Sequence, residues 1–134
     1  MLLELAIVRL LISLNYQKNL STKFKIVYIA PLKSLCSEKF TEWKWKFEEQ
    51  HGLKCIELTG DSNTEDQTDK QIEMAHLICT TPEKWDTMTR KWKNRHSIMK
   101  TVRLMLIDEV HILGKLISYS FVCLNLFLRV IYLS

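Results

Sequence analysis

Four short apolar runs alternate with longer polar or amphipathic stretches along the chain. The runs are KIVYIA (25–30), KCIEL (54–58), HLICT (76–80) and RLMLI (103–107). Each is continuous rather than alternating between apolar and polar residues, which is typical of strands covered on both faces of a parallel sheet. The pattern therefore predicts an α/β fold, in which helices flank a mostly parallel sheet and connect its strands by right-handed crossovers.

The stretches between the runs carry helical patterns. In residues 1–14, MLLELAIVRLLISL, apolar side chains recur at the spacing of a helix with one buried stripe. A second helix is predicted over residues 32–49, and a third over residues 82–93, where Pro82 suits a first helical turn. The polar stretch 60–71 predicts a loop that leads into a short helix.

Composition excludes several classes of protein. The 134 residues are 47% apolar and 25% charged, which is ordinary for one globular domain, and the net charge of +4 permits contact with phosphates without requiring it. The four cysteines are widely spaced, with no histidine at ligand spacing, so they predict buried thiols in a reducing compartment rather than a zinc site. Glu4 and Arg9 interrupt the apolar opening, which favours an amphipathic helix over a signal peptide.

A polar motif follows each predicted strand. In chain order these motifs are APLKSL (30–35), TGD (59–61), TTPEKWD (80–86) and DEVH (108–111). Because open α/β sheets bind ligands at the carboxyl ends of their strands, we expect the four motifs to meet at one edge.

Asp108 and Glu109 are the strongest candidates for chemistry. Magnesium-dependent phosphate chemistry needs one rigid carboxylate near the metal and a second that orients or deprotonates a water. An acidic turn that merely ends a strand is the alternative. His111, taken alone, fits a structural role better than a catalytic one.

Lys33 and Ser34, just after Pro31, are predicted to lie at a helix N-terminus, where backbone donors, a hydroxyl and a cation could meet a phosphate. A solvated lysine is the alternative. Thr80 and Thr81 precede the next helix, so at least one of them is expected to act structurally as a cap, while the other could touch a backbone phosphate.

Two further features bear on nucleotide and nucleic-acid binding. Trp85, Met88 and Trp92 fall at helical spacing, which predicts a core stripe rather than a base-stacking platform. The glycines do not meet the phosphate-loop pattern G-x-x-x-x-G-K-[ST], so the chain carries no such loop.

Taken in order, the four motifs resemble motif Ia, motif Ib, the TPEKW segment and motif II of superfamily 2 helicases, specifically the Ski-like group with a DEVH box. TTPEKWDTMTRKW and VRLMLIDEVHI most resemble the meiotic crossover ATP-dependent DNA helicases of that group, with spliceosomal RNA helicases second. The resemblance covers about residues 3–113. It implies a partial RecA-like P-loop NTPase domain over residues 1–113 that lacks the P-loop strand, followed by an unrelated apolar tail, residues 114–134.

The resemblance also implies roles for single residues. Asp108 would hold magnesium through water, Glu109 would activate the attacking water, both would face ATP, and His111 would couple hydrolysis to movement against a second RecA-like domain. Six residues would line the track of one nucleic-acid strand: Pro31, Lys33, Ser34, Gly60, Asp61 and Thr81.

The expected partners are ATP, magnesium, single-stranded or branched DNA, with RNA as the alternative, and the second motor domain, which is absent from the chain. The expected location is the nucleus.

Without motif I the chain is expected to be inert alone, as a fragment of a 3'-5' DNA helicase. A non-enzymatic remnant that binds nucleic acid or a partner is the competing hypothesis. Arg129 and Asn125 within the apolar tail disfavour a membrane anchor.

Overall fold

Helices and strands alternate along the chain. The computed structural model describes residues 2–14, 23–60, 65–91, 100–109 and 129–132. Its elements are α1 (Leu2–Ser13), β1 (Lys25–Ile29), α2 (Lys33–Trp43) with a π-helical continuation (Lys44–Glu49), β2 (Cys55–Leu58), α3 (Glu65–Met74), β3 (Leu77–Thr80), α4 (Pro82–Lys91), β4 (Val102–Ile107) and β5 (Arg129–Tyr132). All four predicted strands and the predicted helices are confirmed, each within a few residues of the expected bounds.

The strands form one sheet in the order β2-β3-β1-β4-β5. Every neighbouring pair is parallel, so the predicted sheet type is confirmed. Because neighbouring strands are parallel, the connections between them must cross over a face of the sheet, and α2, α3 and α4 occupy the crossovers from β1 to β4.

The fifth strand was not predicted. β5 lies within the apolar tail and pairs with β4, with Leu104 opposite Arg129 and Ile107 opposite Tyr132. A long apolar run has no alternation of apolar and polar residues that would distinguish a strand from a helix. The strand conformation of β5 is selected by the edge of β4, which offers unpaired backbone groups for hydrogen bonding.

Hydrophobic clusters cover both faces of the sheet. Side chains of β1 alternate between them: Ile26 and Tyr28 pack with residues of α1 and α2, whereas Val27 and Ile29 pack with residues of α3 and α4. All five residues of β1 are buried, as expected for a central strand with helices on both sides.

The predicted helix over 32–49 changes type partway along. It is α-helical to Trp43 and π-helical from Lys44 to Glu49. Trp43 and Phe47, which are four residues apart across this change, are both buried in the cluster beneath the helix, and their ring centroids are 6.4 Å apart. The buried face of the helix therefore continues from the α-helical into the π-helical part.

A buried lysine ties β1 to the end of α3. The Lys25 Nζ donates to the backbone oxygens of Ile72, Glu73 (3.2 Å) and Ala75 (2.7 Å), although Lys25 is only 5% exposed. These carbonyls lie at the C-terminal end of the helix, where the last carbonyls have no donor from a following helical turn, although Ile72 O also accepts the Ala75 N–H at 3.2 Å. Burial lowers the pKa of Lys25, and the nearby Glu73 carboxylate opposes that shift.

Within the described ranges, no helix is both long enough and apolar enough to cross a membrane.

Candidate functional site

The carboxyl ends of four strands lie level with one another. Ile29 at the end of β1 is paired with Thr80 on one side and Ile107 on the other, and Leu58 is paired with Thr80. The residues that follow these strands therefore start from one edge of the sheet, as expected from the order of the motifs.

Asp108 is held at this edge by three hydrogen bonds. Its backbone N–H donates to Ile29 O at 2.9 Å, which extends the ladder between β4 and β1. Its Oδ1 accepts the backbone N–H of Glu109 at 2.9 Å, and its Oδ2 accepts the Tyr28 hydroxyl at 2.9 Å. Both carboxylate oxygens thus have a fixed donor, and Asp108 remains half-buried rather than sealed in the core.

Glu109 has a strained backbone. Its φ is +52°, and it is the one non-glycine residue with positive φ in the part of the chain that the structure describes. The left-handed conformation costs a residue with a Cβ roughly 1–2 kcal/mol. Strain of this kind persists only where the surroundings impose it, and it concentrates at functional sites.

Tyr28 is a site residue that sequence reasoning missed. It lies in the middle of a continuous apolar strand, where a tyrosine is expected to pack, and no local pattern shows where its hydroxyl will point. Burial raises the pKa of Tyr28 well above its usual range, and the hydrogen bond to Asp108 raises that pKa further, so the hydroxyl keeps its proton and donates it.

The residues after β1 lie where they were predicted, at the start of α2. Lys33 is the first helical residue and, like Ser34, is exposed, while Pro31 is half-buried. The first N–H groups of a helix have no partner within it and carry partial positive charge. This turn can therefore offer an anion backbone donors, a hydroxyl and a cation.

The two threonines after β3 differ in role. Thr80 is fully buried, and its hydroxyl donates to Leu58 O at 2.7 Å, which ties β3 to β2. The Thr81 carbonyl accepts the Trp85 N–H at 3.0 Å, so Thr81 stands at the start of α4. The Thr80 hydroxyl thus has a structural role between strands rather than the predicted role of a cap on α4, and the 5% exposure of Thr81 leaves little of its side chain for a phosphate.

The structure describes only some of the other predicted site residues. Gly60 is exposed just beyond β2. Asp61 and His111 lie outside the described residues, as do Trp92 and Cys123. Trp85 and Met88 are buried, which confirms the core reading of that helix.

Three thiols are buried, at Cys36, Cys55 and Cys79. Burial raises the pKa of Cys36 to about 11 and that of Cys55 to about 12, and it also raises the pKa of Cys79. They are therefore protonated at neutral pH, as expected for packing residues.

The donor set at the edge fits magnesium. Among the residues that the structure describes, no group of three or more metal-ligating side chains occurs. Mg²⁺ is usually bound in nucleotide enzymes by one or two carboxylates, with water and phosphate oxygens completing its shell. Asp108, with Glu109 beside it, provides that number of carboxylates at an accessible position.

The class of protein to which this sheet and its carboxylate pair belong is the DEAD/DEAH box helicase family. The family matches residues 3–127, and the chain belongs to it. The predicted membership of the superfamily 2 helicases is thereby confirmed.

The relatives of known sequence assign the chain to a smaller group within this family. The chain is 53% identical over 82% of its length to the "Probable ATP-dependent DNA helicase HFM1" of Xenopus tropicalis, and 53% identical over 81% to that of Homo sapiens. It is 50% identical over 72% of its length to "Activating signal cointegrator 1 complex subunit 3" of Danio rerio. These matches confirm the predicted Ski-like group. The chain spans only 8%, 7% and 6% of the three relatives, respectively.

Solved helicases share the fold. The Mycobacterium smegmatis helicase Lhr, bound to ssDNA and AMP-PNP, aligns with a TM-score of 0.66 and 21% identity over 85% of this chain and 17% of that one. The DUF1998 helicase MrfA, bound to DNA, aligns with a TM-score of 0.62 and 16% identity over 84% of this chain and 17% of that one. At this identity they establish the fold, and the predicted partial RecA-like architecture is confirmed.

Proposed function

We propose that residues 1–113 form part of the first RecA-like motor domain of a nuclear ATP-dependent 3'-5' DNA helicase of meiotic recombination, followed by an apolar tail, residues 114–134, whose β5 extends the sheet. The observation that carries the proposal is the restrained carboxylate of Asp108 at the sheet edge, next to the strained Glu109. The family and the DNA helicases among the relatives supply the biological class.

In this proposal the carboxylates of Asp108 and Glu109 have different roles. Asp108 holds a water of the magnesium shell, because its oxygens are fixed in direction and each keeps a lone pair. Glu109 orients the attacking water and accepts its proton. Bound magnesium and ATP would supply the charge neutralisation and the phosphoryl group on which these residues act.

The same edge provides the proposed path for one DNA strand. Exposed Lys33 and Ser34 at the start of α2, with Pro31, contact backbone phosphates, and Gly60 lies exposed beyond the neighbouring β2. Asp61 completes the proposed path, and Thr81 borders it at the start of α4 with a side chain that is only 5% exposed.

Catalysis requires more than this chain contains. The 134 residues include no G-x-x-x-x-G-K-[ST] loop, which is the main grip on a triphosphate in this class of NTPase. We therefore expect the isolated chain to bind DNA without hydrolysing ATP. In the whole helicase, the second motor domain completes the site, and His111 couples the two domains.

The DNA path is tested by binding of single-stranded DNA, measured by fluorescence anisotropy over a range of salt concentrations. Lys33→Ala should weaken binding and lower the salt slope by about one, because one phosphate contact is lost. Lys54→Ala is the matched control, since Lys54 is also exposed but precedes β2 at the opposite edge of the sheet.

Binding that does not change with salt, or equal losses in the two variants, would remove the DNA path from the proposal. A parallel titration with an RNA strand of the same sequence separates the DNA reading from the RNA alternative. DNA-stimulated ATP turnover by the isolated chain, abolished by Glu109→Gln, would contradict the expected inertness.

A further inference from the structure

The Tyr28 side chain joins the hydrophobic core to the candidate carboxylate. Tyr28 is 0% exposed, yet its hydroxyl reaches Oδ2 of Asp108 at 2.9 Å. In the register of β1 and β4, Tyr28 lies opposite Leu106, so Asp108 is two residues further along the neighbouring strand. The length of the tyrosine side chain covers this offset, which a serine or threonine at the same position could not do.

The tyrosine ring has little freedom to move. It meets the Trp43 ring edge-on, with centroids 5.1 Å apart and planes at 77°. The Trp43 indole N–H in turn donates to Oε1 of Glu4 on α1 at 3.3 Å, and Lys46 donates to the same oxygen at 2.8 Å. The direction of the Tyr28 hydroxyl is therefore fixed by packing against two helices.

We propose that Tyr28 is a positioning residue that sets the orientation of the Asp108 carboxylate for the metal-bound water. This inference rests on the proposed role of Asp108. With Oδ1 accepting from the Glu109 N–H and Oδ2 accepting from Tyr28, the carboxylate plane cannot rotate about its last bond. Groups outside the direct ligand shell typically contribute 10- to 100-fold in metal affinity, and Asp108 with its Tyr28 donor would act in this way through the metal-bound water.

A purely structural role for the hydroxyl gives a different expectation. A buried hydroxyl needs an acceptor, and loss of the bond would then lower only the stability of the fold. If the hydroxyl also orients Asp108, its removal weakens metal binding in protein that is still fully folded. Metal affinity at a temperature well below the unfolding transition therefore separates the two roles.

The experiment uses the full 134-residue chain and Mn²⁺ alone as the probe, with bound metal measured by electron paramagnetic resonance. Tyr28→Phe removes only the hydroxyl and keeps the ring, and we expect it to raise the metal Kd about tenfold. Thr80→Val is the matched control, because it also deletes a buried hydroxyl with a hydrogen bond but does not touch Asp108. Its Kd should equal that of the unmodified chain.

Asp108→Asn separates this inference from the proposed function. If Asp108→Asn abolishes binding while Tyr28→Phe leaves the Kd unchanged, the positioning role is overturned and the metal site stands. If Asp108→Asn binds as the unmodified chain does, the metal site itself fails and the positioning role fails with it.

A second measurement needs no variant. The Tyr28 hydroxyl proton, observed by nuclear magnetic resonance in the unmodified chain, should shift when Mg²⁺ is added, because the cation draws charge from the carboxylate that accepts it. A Glu109 amide signal that shifts with Mg²⁺ while the hydroxyl signal stays constant would overturn the inference.

Discussion

Lys25→Met is the substitution for which the structure gives the sharpest stability prediction. Methionine preserves most of the length and the apolar stem of the lysine but removes its ammonium group. Three backbone oxygens, those of Ile72, Glu73 and Ala75, then lose the lysine donor at the end of α3, although the Ile72 oxygen still accepts the Ala75 N–H at 3.2 Å. Because Lys25 lies in the sheet and α3 lies on its face, the substitution removes a direct link between these two layers.

The magnitude follows from the hydrogen bonds that are lost. A bond to a charged group contributes roughly 1.5–3 kcal/mol net, and an acceptor left buried without a donor costs roughly 1–3 kcal/mol. The released cost of burying a charge offsets part of this loss. Water can also reach the less buried Glu73 carbonyl. We therefore expect Lys25→Met to lower the free energy of unfolding by about 3 kcal/mol.

Urea unfolding at neutral pH, followed by circular dichroism, measures this change. With a typical urea dependence for a small domain, a loss of about 3 kcal/mol lowers the midpoint by roughly 1–2 M. Lys54→Met is the control, since exposed Lys54 should tolerate the same change within about 0.5 kcal/mol. If the two variants have the same midpoint, the hydrogen bonds from Lys25 to the three carbonyl oxygens do not stabilise the fold and the reasoning is wrong.

Two further predictions concern titratable groups. The His76 Nδ1 accepts the Lys54 N–H at 3.0 Å, and burial, with a smaller effect of the Lys25 charge, lowers the pKa of His76 below 6.5. The unfolded chain therefore binds a proton at His76 more readily than the folded chain, so stability is lost as pH falls below 6.5 through the lowered pKa. The urea midpoint should fall less on acidification in His76→Gln than in the unmodified chain. An equal fall in both would exclude His76 as the cause. In a Cys123→Ser chain, the three buried thiols should not react with a thiol-specific reagent at neutral pH until urea unfolds the protein, whereas rapid reaction of the native chain would show that they are accessible.

The sheet and its functional edge could be predicted because both depend on local signals. Continuous apolar runs of strand length mark buried parallel strands wherever they occur, and parallel strands place the residues that follow them at one edge. The positions of Asp108 and Lys33 follow from these two facts alone.

The missed features depend on contacts between distant parts of the chain. Lys25 begins an apolar run and reads as an ordinary charged residue at a strand end, because its three acceptors come from a helix more than forty residues later. Tyr28 reads as a core aromatic for the same reason, since its acceptor is eighty residues away in sequence. β5 needed the unpaired edge of β4 to select a strand over a helix. In each case the deciding partner is set by the tertiary structure.

Asp108 and Glu109 continue β4 with different backbone conformations, and this difference supports their proposed role at one edge of the sheet. In an extended strand, successive side chains point to opposite faces, so a continuation of β4 in that conformation would send Asp108 and Glu109 to opposite sides of the sheet. The positive φ of Glu109 breaks this alternation immediately after the last paired residues. Asp108 still follows the strand, since its N–H bonds to Ile29 O, and its carboxylate is oriented by side-chain and backbone donors. The Asp108 carboxylate is therefore oriented by the Tyr28 hydroxyl and the Glu109 N–H, whereas Glu109 leaves the direction of the strand through a backbone strain that the surrounding fold must maintain.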